Sequence, residues 1–248
     1  MRRTMILAVA AALILTPLAL AQDEAPPMMA VTVVDVQLGH VPRFEAARKE
    51  LWKGHEKVGV DWPVNVSQSM HDPGSYGIVT MIDSLGQMDE RRPKMEAGWQ
   101  AASGAMGTLM EAATTWESWV MRSHPELSYT PEDPRLSEDE APYWHMTTLH
   151  VDPAQMDAFE AVVKEWGAMA AKHGMRDGYS VWTSVMGDGP AYSVLMWAKD
   201  PADYWTQTMA NEKKFGEDRL ALMAKMGPMI RDIEYAYGMS RPDLSYQP

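Results

Sequence analysis

The pattern of apolar and polar residues divides the chain into two halves with the same order of elements. In each half an alternating run predicts a strand, and apolar residues at three- and four-residue spacing predict the helix that follows it. Two more alternating runs, a second helical stretch and a last strand complete each half. Gly59 and Gly174 stand where the first helices should end, and the second helical stretches should break near Pro93 and Gly216. The predicted strands are 31–37, 62–70, 76–83 and 114–121 in the first half and 144–151, 178–186, 191–199 and 230–238 in the second.

A nine-residue sequence occurs once at the end of each half. Residues 123–131 read SHPELSYTP and residues 240–248 read SRPDLSYQP, which are identical at six of nine positions. The offset between matching residues is 117 here and drifts only to 115 at Phe44 and Phe159. A nearly constant offset predicts an internal duplication. We therefore expect an α+β protein of two tandem ferredoxin-like (βαββαβ) repeats that pack as one pseudo-twofold α+β barrel.

The N-terminus has the pattern of an export signal. Residues 1–21 combine a basic start, an apolar run and a small-x-small site, so we expect a signal peptide cleaved after Ala21 and a periplasmic or secreted protein. Residues 22–30 are predicted to be a flexible leader. The acidic, proline-containing stretch 132–142 predicts a linker. The two repeats would then span 31–131 and 143–248.

Composition narrows the classes of function. The net charge of −12 becomes −14 when Arg2 and Arg3 leave with the signal peptide. So acidic a protein is unsuited to nucleic acid, whose phosphates are neutralised by Lys and Arg. The absence of Cys excludes disulfides, thiol catalysis and thiolate metal sites. The apolar run at the N-terminus is too short for a membrane span, so none is expected once the signal is removed.

The stretch YSVLMWAKDPADYWTQT at 192–208 resembles sequences of the dimeric α+β barrel superfamily. That superfamily includes antibiotic-biosynthesis monooxygenase-like, Dabb-like and NIPSNAP-like domains. The resemblance implies a barrel, here duplicated in one chain, and activities that range from cofactor-free monooxygenases and haem-binding or haem-degrading enzymes to proteins without known chemistry. Fold alone does not choose among these. Because fusion makes the usual dimer internal, we expect a monomer or a weak homo-oligomer.

The first strand of each half supplies the candidate catalytic residues. Its apolar face, with Val34 and Val36 in the first half, should meet the helices, since strand residues alternate between two faces. The opposite face then carries Asp35 in one half and His150 at the matching position of the other. A histidine near carboxylates in a partly closed cavity can act as a general base.

The last strand of each half supplies a second pair at equivalent positions. Glu117 and Glu234 share the more polar face, and we expect them to converge with the first pair in the barrel lumen as ligand-binding residues. Such a set could also hold a divalent metal through imidazole and carboxylate atoms. The alternative is that both carboxylates only meet water or pair with Arg122 or Arg231.

Tryptophan is the remaining candidate ligand-binding residue type. Trp119 lies on the last strand of the first half and Trp182 on the second strand of the second half, and an aromatic lining suits a flat apolar ligand. Core packing is the alternative role. The second strands of the two halves give conflicting predictions of which face is polar. Asn65, Ser67 and Ser69 are all polar, whereas two of the residues at the positions compared with them, 181, 183 and 185, are valines.

The sequence therefore predicts an exported small-molecule-binding protein with a cavity between the repeats, and its ligand is an aromatic compound if the tryptophans line that cavity. The first alternative is a monooxygenase-like or haem-binding or haem-degrading enzyme acting on an aromatic ligand, with His150 as base or iron ligand. The second alternative is a divalent-metal-binding protein. The sequence does not specify a cofactor.

Overall fold

A computed structural model describes residues 26–185 and 191–248. The predicted signal peptide at 1–21, its cleavage site, residues 22–25 of the predicted leader and the tip of the predicted hairpin at 186–190 lie outside the described residues. The last three residues of the predicted leader 22–30 are not a flexible segment, because Met28, Met29 and Ala30 begin the first strand. No helix within the described ranges is long and apolar enough to cross a membrane.

The structure is α+β, and the two halves have similar elements. The second helical stretch is two helices in the first half and one kinked helix in the second. The first half contains β1 Met28–Val36, α1 Val41–Lys57, β2 Asn65–Ser69, β3 Ser75–Ile82, α2 Leu85–Ala101, α3 Ser103–Ala112 and β4 Ala113–Ser123. The second half contains β5 Tyr143–Val151, α4 Met156–Lys172, β6 Ser180–Ser184, β7 Ala191–Ala198, α5 Pro201–Met226 and β8 Ile230–Ser240.

Hydrogen bonding orders the eight strands into one closed barrel, β1-β3-β2-β8-β5-β7-β6-β4. The chain divides into two compact units. The N-terminal unit takes the described residues up to Val120 together with Tyr237–Pro248, and the C-terminal unit is Met121–Ala236. The last two strands therefore begin in one unit and end in the other. Met121–Ser123 pairs with β6, and Gly238–Ser240 pairs with β2.

In each unit one face of the sheet packs against helices. Val34 and Val36 of β1 lie in a buried cluster with Phe44 and Leu51 of α1, as the alternation predicts. The corresponding cluster of the C-terminal unit joins β5, β6 and β7 to α4 and α5. Burying each large side chain in such clusters contributes about 1.5–3 kcal/mol.

The two units repeat one buried contact in detail. The rings of Phe44 and Tyr76 lie 4.9 Å apart, and so do those of Phe159 and Tyr192. Both tyrosine hydroxyls donate to a glutamate one position beyond the phenylalanine, over 2.8 Å in the N-terminal unit and 2.7 Å in the C-terminal unit. These contacts attach the first helix of each half to its third strand.

The helices end or kink at the predicted glycines, but not at the predicted proline. Gly59 and Gly174 have φ of +69° and +58° just after α1 and α4, which is the left-handed conformation that glycine adopts at low cost. Gly216 kinks α5 with φ +52°. The break predicted near Pro93 is wrong, because Pro93 lies inside α2 and the helices separate at Ala102. Pro93 is exposed, so water can satisfy the carbonyl that its ring leaves free.

The repeated nine-residue sequence forms a clasp after each last strand. We call residues 124–131 the first clasp and residues 241–248 the second clasp. In the first clasp, the Ser128 hydroxyl accepts a hydrogen bond from the backbone N–H of Val181, over 2.9 Å, and the Tyr129 hydroxyl donates to the carbonyl of Met175. Leu127 is buried at 1% exposure. The first clasp therefore packs within the C-terminal unit.

The second clasp repeats these contacts within the N-terminal unit. The Ser245 hydroxyl accepts from the N–H of Val66 over 2.9 Å, and the Tyr246 hydroxyl donates to the carbonyl of Val60 over 2.9 Å. Leu244 has no exposed surface. Each clasp is thus joined to the unit that does not contain the beginning of its own strand. Three of the residues that the two clasps share, a leucine, a serine and a tyrosine, make these equivalent contacts.

Candidate functional site

Asp35 lies on the face of its sheet that is turned away from the helices. The hydroxyl of Thr115 donates to its Oδ2 atom over 2.7 Å, which places Thr115 of β4 on the same face. By strand alternation Glu117 and Trp119 share that face. Glu117 is exposed and makes no hydrogen bond or ion pair with the described residues, whereas Trp119 is half-buried. In the N-terminal unit the predicted site residues share one face, but Asp35 is already bound.

The C-terminal unit brings two predicted residues into contact. His150 on β5 and Glu234 on β8 approach to 3.2 Å between Nε2 and Oε1. Their side chains are 32% and 28% exposed, so the pair is shielded yet reachable by a ligand. Neighbouring strands hold both residues, and rigid strands keep such a contact in place better than loops do.

The contact fixes which nitrogen of His150 is basic. A carboxylate can only accept, so Nε2 carries the proton that is donated to Glu234. In the neutral ring Nδ1 then holds the lone pair, and Nδ1 has no hydrogen bond among the described residues. The pair therefore offers one oriented, unoccupied base. The same arrangement of carboxylate and imidazole orients histidine ligands of metals.

The alternative partners predicted for the glutamates are not used in this unit. Arg231 pairs with Asp152 over 2.9 Å instead of with Glu234. The backbone N–H of Ala154 and then this arginine lower the pKa of Asp152 below its usual range. Because Asp152 occupies the arginine, Glu234 remains available to His150.

Trp182 is buried on β6 with 2% exposure. Val181 lies in the helix-facing cluster, so Trp182 is on the opposite face. The predicted disagreement between the second strands, in which residue 65 was compared with residue 181, arose because that comparison places each residue of the second half one position too far along the chain. Ser67 pairs with Gly77 and Trp182 pairs with Ser193, which makes Ser67 and Trp182 equivalent. The indole N–H of Trp182 donates to Ser180 over 2.7 Å, so its polar atom is satisfied within the strand.

Sequence reasoning missed polar groups on the face of the sheet that carries His150. Thr148 and Ser193 share a buried hydrogen bond of 3.0 Å. Trp144 has no exposed surface, and its Nε1 atom lacks a partner among the described residues. The signal in the sequence was alternation, since both Thr148 and Trp144 lie an even number of residues from His150.

The predicted site residues divide between the two units. Asp35, Glu117 and Trp119 belong to the N-terminal unit, and the His150–Glu234 pair and Trp182 to the C-terminal unit. Within the two described ranges, no group of three or more His, Asp or Glu side chains is placed to hold a metal ion. A cleft of about 700 Å³ opens elsewhere, on the helices of the N-terminal unit, between α1 and the α2–α3 junction.

Comparison with known proteins supports the fold. The sequence matches no family model and no curated protein. A candidate monooxygenase from Lactobacillus acidophilus superposes with a TM-score of 0.57 at 9% identity, over 90% of this chain and 96% of that one. An anthrone oxidase-like protein gives a TM-score of 0.57 at 12% identity, over 88% and 92% of the two chains.

A variant of chlorite dismutase from Candidatus Nitrospira defluvii gives a TM-score of 0.55 at 12% identity, over 89% of this chain and 93% of that one. The chain has the fold of these proteins. This likeness supports the predicted α+β barrel at the level of fold. At identities this low the likeness shows the fold and does not by itself assign an activity.

Proposed function

We propose that this is an exported small-molecule-binding protein whose reactive group is Nδ1 of His150, oriented by Glu234. The observation that carries the proposal is the 3.2 Å contact that commits Nε2 and leaves Nδ1 unoccupied. A single oriented base selects ligands with an acidic O–H or C–H group, so the ligand class is phenolic or enolisable aromatic compounds. The buried Trp182 on the same sheet suits an aromatic ligand.

The similarity of the two halves helps to place the function in one of them. We infer that the halves descend from one ferredoxin-like unit, because they share the clasp contacts and the phenylalanine–tyrosine–glutamate contact. The two copies differ where His150 replaces the equivalent Asp35. Only the second copy therefore offers a neutral base, and the function is assigned to the C-terminal unit.

Binding can be tested with 1-naphthol and anthrone, followed by tryptophan fluorescence and by the ligand's own absorption. Ionisation of the bound ligand shifts that absorption to longer wavelength. His150→Ala should weaken binding about tenfold or more, which corresponds to the loss of one hydrogen bond to a charged group, about 1.5–3 kcal/mol. Glu234→Gln should keep binding but reduce ionisation, because the amide no longer stabilises the imidazolium.

The chain offers a matched control in His173, which contacts Asp218 over 2.9 Å in the same unit. Lys172 also binds that carboxylate, over 2.6 Å, so this second pair is part of a surface ion-pair cluster. His173→Ala should leave binding unchanged. Equal affinities in wild type and His150→Ala, or no binding of either compound, would refute the proposal.

A second candidate function is oxidation of the bound ligand by O₂. The structural neighbours favour it, since they include a candidate monooxygenase and an anthrone oxidase-like protein. Removal of a C–H proton from anthrone by His150 gives an electron-rich enolate that O₂ can oxidise. The methylene carbon becomes a carbonyl, and the second oxygen atom leaves as water. Oxygen uptake with formation of anthraquinone, lost in His150→Ala, would support this; binding without uptake would exclude it.

Haem is the remaining alternative ligand. His150, oriented by Glu234, would hold the iron of a bound haem, and the haem would supply redox chemistry. Titration with haemin should then give a Soret band that shifts in His150→Ala. The same band in both proteins would exclude His150 as the ligand.

A further inference from the structure

Arg48 on α1 is buried without a counter-ion. Only 4% of its surface is exposed, and it makes no ion pair or hydrogen bond with the described residues. Its Nε atom is fully enclosed and unpartnered. The guanidinium lies over the ring of Trp52, 4.2 Å from the ring centroid, which is its one favourable electrostatic contact among those described.

Burial of a bare guanidinium is costly, because even after relaxation the penalty is several kcal/mol per ion. Other shielded arginines of the described chain are matched by acids. Arg135 binds Asp177 and Asp203, and Arg241 binds Glu45 together with a second carboxylate. Burial lowers the pKa of Arg48 to about 9, which still leaves it charged at neutral pH.

A second polar group beside Trp52 is also unsatisfied. His55 has no exposed surface, and its ring lies 5.1 Å from that of Trp52. Its Nδ1 contacts the carbonyl of Leu51 over 3.0 Å, but Nε2 has no partner in the described part of the chain. Burial, and to a smaller extent the charge of Arg48, lower the pKa of His55. Because a carbonyl only accepts, Nδ1 carries the proton and Nε2 is an acceptor that an anion could not satisfy, so His55 is not part of an anion site. The buried donor that lacks a partner is Arg48 Nε, and buried polar atoms are almost always paired.

We propose that Arg48 binds a small monovalent anion, a halide or a carboxylate, on the helix side of the N-terminal unit. A guanidinium has five donors and no acceptor, so water alone would leave the buried charge uncompensated. The 4% exposure limits the ligand to one of few atoms. This site is separate from His150, and the proposed function does not depend on it.

The position of the site links it to the second clasp. The indole N–H of Trp52 donates to the carbonyl of Leu244 over 2.6 Å. The guanidinium of Arg48 lies over the ring of that tryptophan, so an anion that fixes Arg48 would also fix Trp52. Occupancy should therefore stabilise the N-terminal unit through the clasp.

Thermal unfolding of the full mature chain tests the proposal, with sodium bromide and sodium formate compared with sodium gluconate at equal ionic strength. A specific ligand raises the midpoint with the logarithm of its concentration. The rise should be lost in Arg48→Met, which keeps the length of the side chain without its charge, and kept in Arg43→Met, an exposed arginine on the same helix. A rise with bromide alone identifies a halide site, and one with formate a carboxylate site. Equal midpoints in all three salts would overturn the proposal.

Crystals of the wild-type protein soaked in bromide provide a second test that does not depend on the folding of a variant. An anomalous peak within hydrogen-bond distance of Arg48 Nε supports the site. A water molecule at that position, or bromide only elsewhere as an adventitious ion, would overturn it.

Discussion

Removal of the buried leucine from one clasp should destabilise the unit that the clasp closes, and not the half from which it extends. Leu244 has no exposed surface and lies in the cluster that contains Val34, Phe44 and Leu51. Leu244→Ala removes this packing and leaves a cavity, at a cost of about 2–5 kcal/mol. Leu127 has 1% exposure in the opposite unit, so Leu127→Ala is a matched substitution of similar cost.

Hydrogen–deuterium exchange read by peptide mass spectrometry can assign each loss to a unit. Leu244→Ala should accelerate exchange in α1, β2 and β3, while β5, β6 and β7 keep wild-type protection. Leu127→Ala should give the reverse. The reason is that protection follows the free energy of local opening, and each leucine contributes to only one cluster.

Two outcomes would refute this reasoning. If Leu244→Ala accelerated exchange in β5–β7 instead, the assignment of the second clasp to the N-terminal unit would be wrong. If each substitution accelerated both units equally, the chain would open as one cooperative body and the clasps would have no unit-specific role.

Three further predictions concern single contacts. Ser128→Ala and Ser245→Ala each remove the acceptor for a strand N–H and should each cost about 1–2 kcal/mol in urea unfolding, less than the leucine substitutions. The Arg241 guanidinium lowers the pKa of Asp243 from 3.8 to about 2. The ionised Asp243 therefore stabilises the folded chain above pH 3.8, and this stabilisation is lost as the pH falls towards 2. Asp243→Asn should flatten that part of the acid-unfolding curve. Burial lowers the pKa of His145 from 6.5 to about 4, so protonation favours the unfolded chain. Stability should therefore fall as the pH drops from 6.5 through 4. In His145→Phe, hydrogen–deuterium exchange of the C-terminal unit should no longer show this pH-dependent loss of protection.

Strand alternation predicted the faces of the barrel well, because burial on one side imposes a period of two. It placed Val34 and Val36 against helices and put Asp35 and His150 on the other face. The two glycines that end α1 and α4 were also predictable, since a left-handed backbone requires a residue without a Cβ atom.

The contacts between distant elements were not predictable from the sequence. Alternation placed Glu234 on the correct face of β8, but only the pairing of β8 with β5 shows that it meets His150 rather than Arg231. Pro93 was assigned to a helix break because local rules ignore exposure, which lets an outer helix surface tolerate proline.

The repeated nine residues predicted a duplication but not the exchange of strand ends. Their composition is the same whether Leu127 and Leu244 pack in their own half or in the opposite one. That choice depends on how far β4 and β8 run, and strand length is set by the partner strands rather than by the residues of the strand itself.

Because β4 and β8 each begin in one unit and end in the other, the two halves of the chain should not fold independently when they are expressed as separate polypeptides. A split within 132–142 would yield one polypeptide without the segment that seals it, residues 241–248, and another without residues 124–131. Each piece would carry the missing part of the other, so the two should remain poorly ordered alone and reconstitute on mixing. Truncation of the last eight residues should likewise harm the half that was synthesised first.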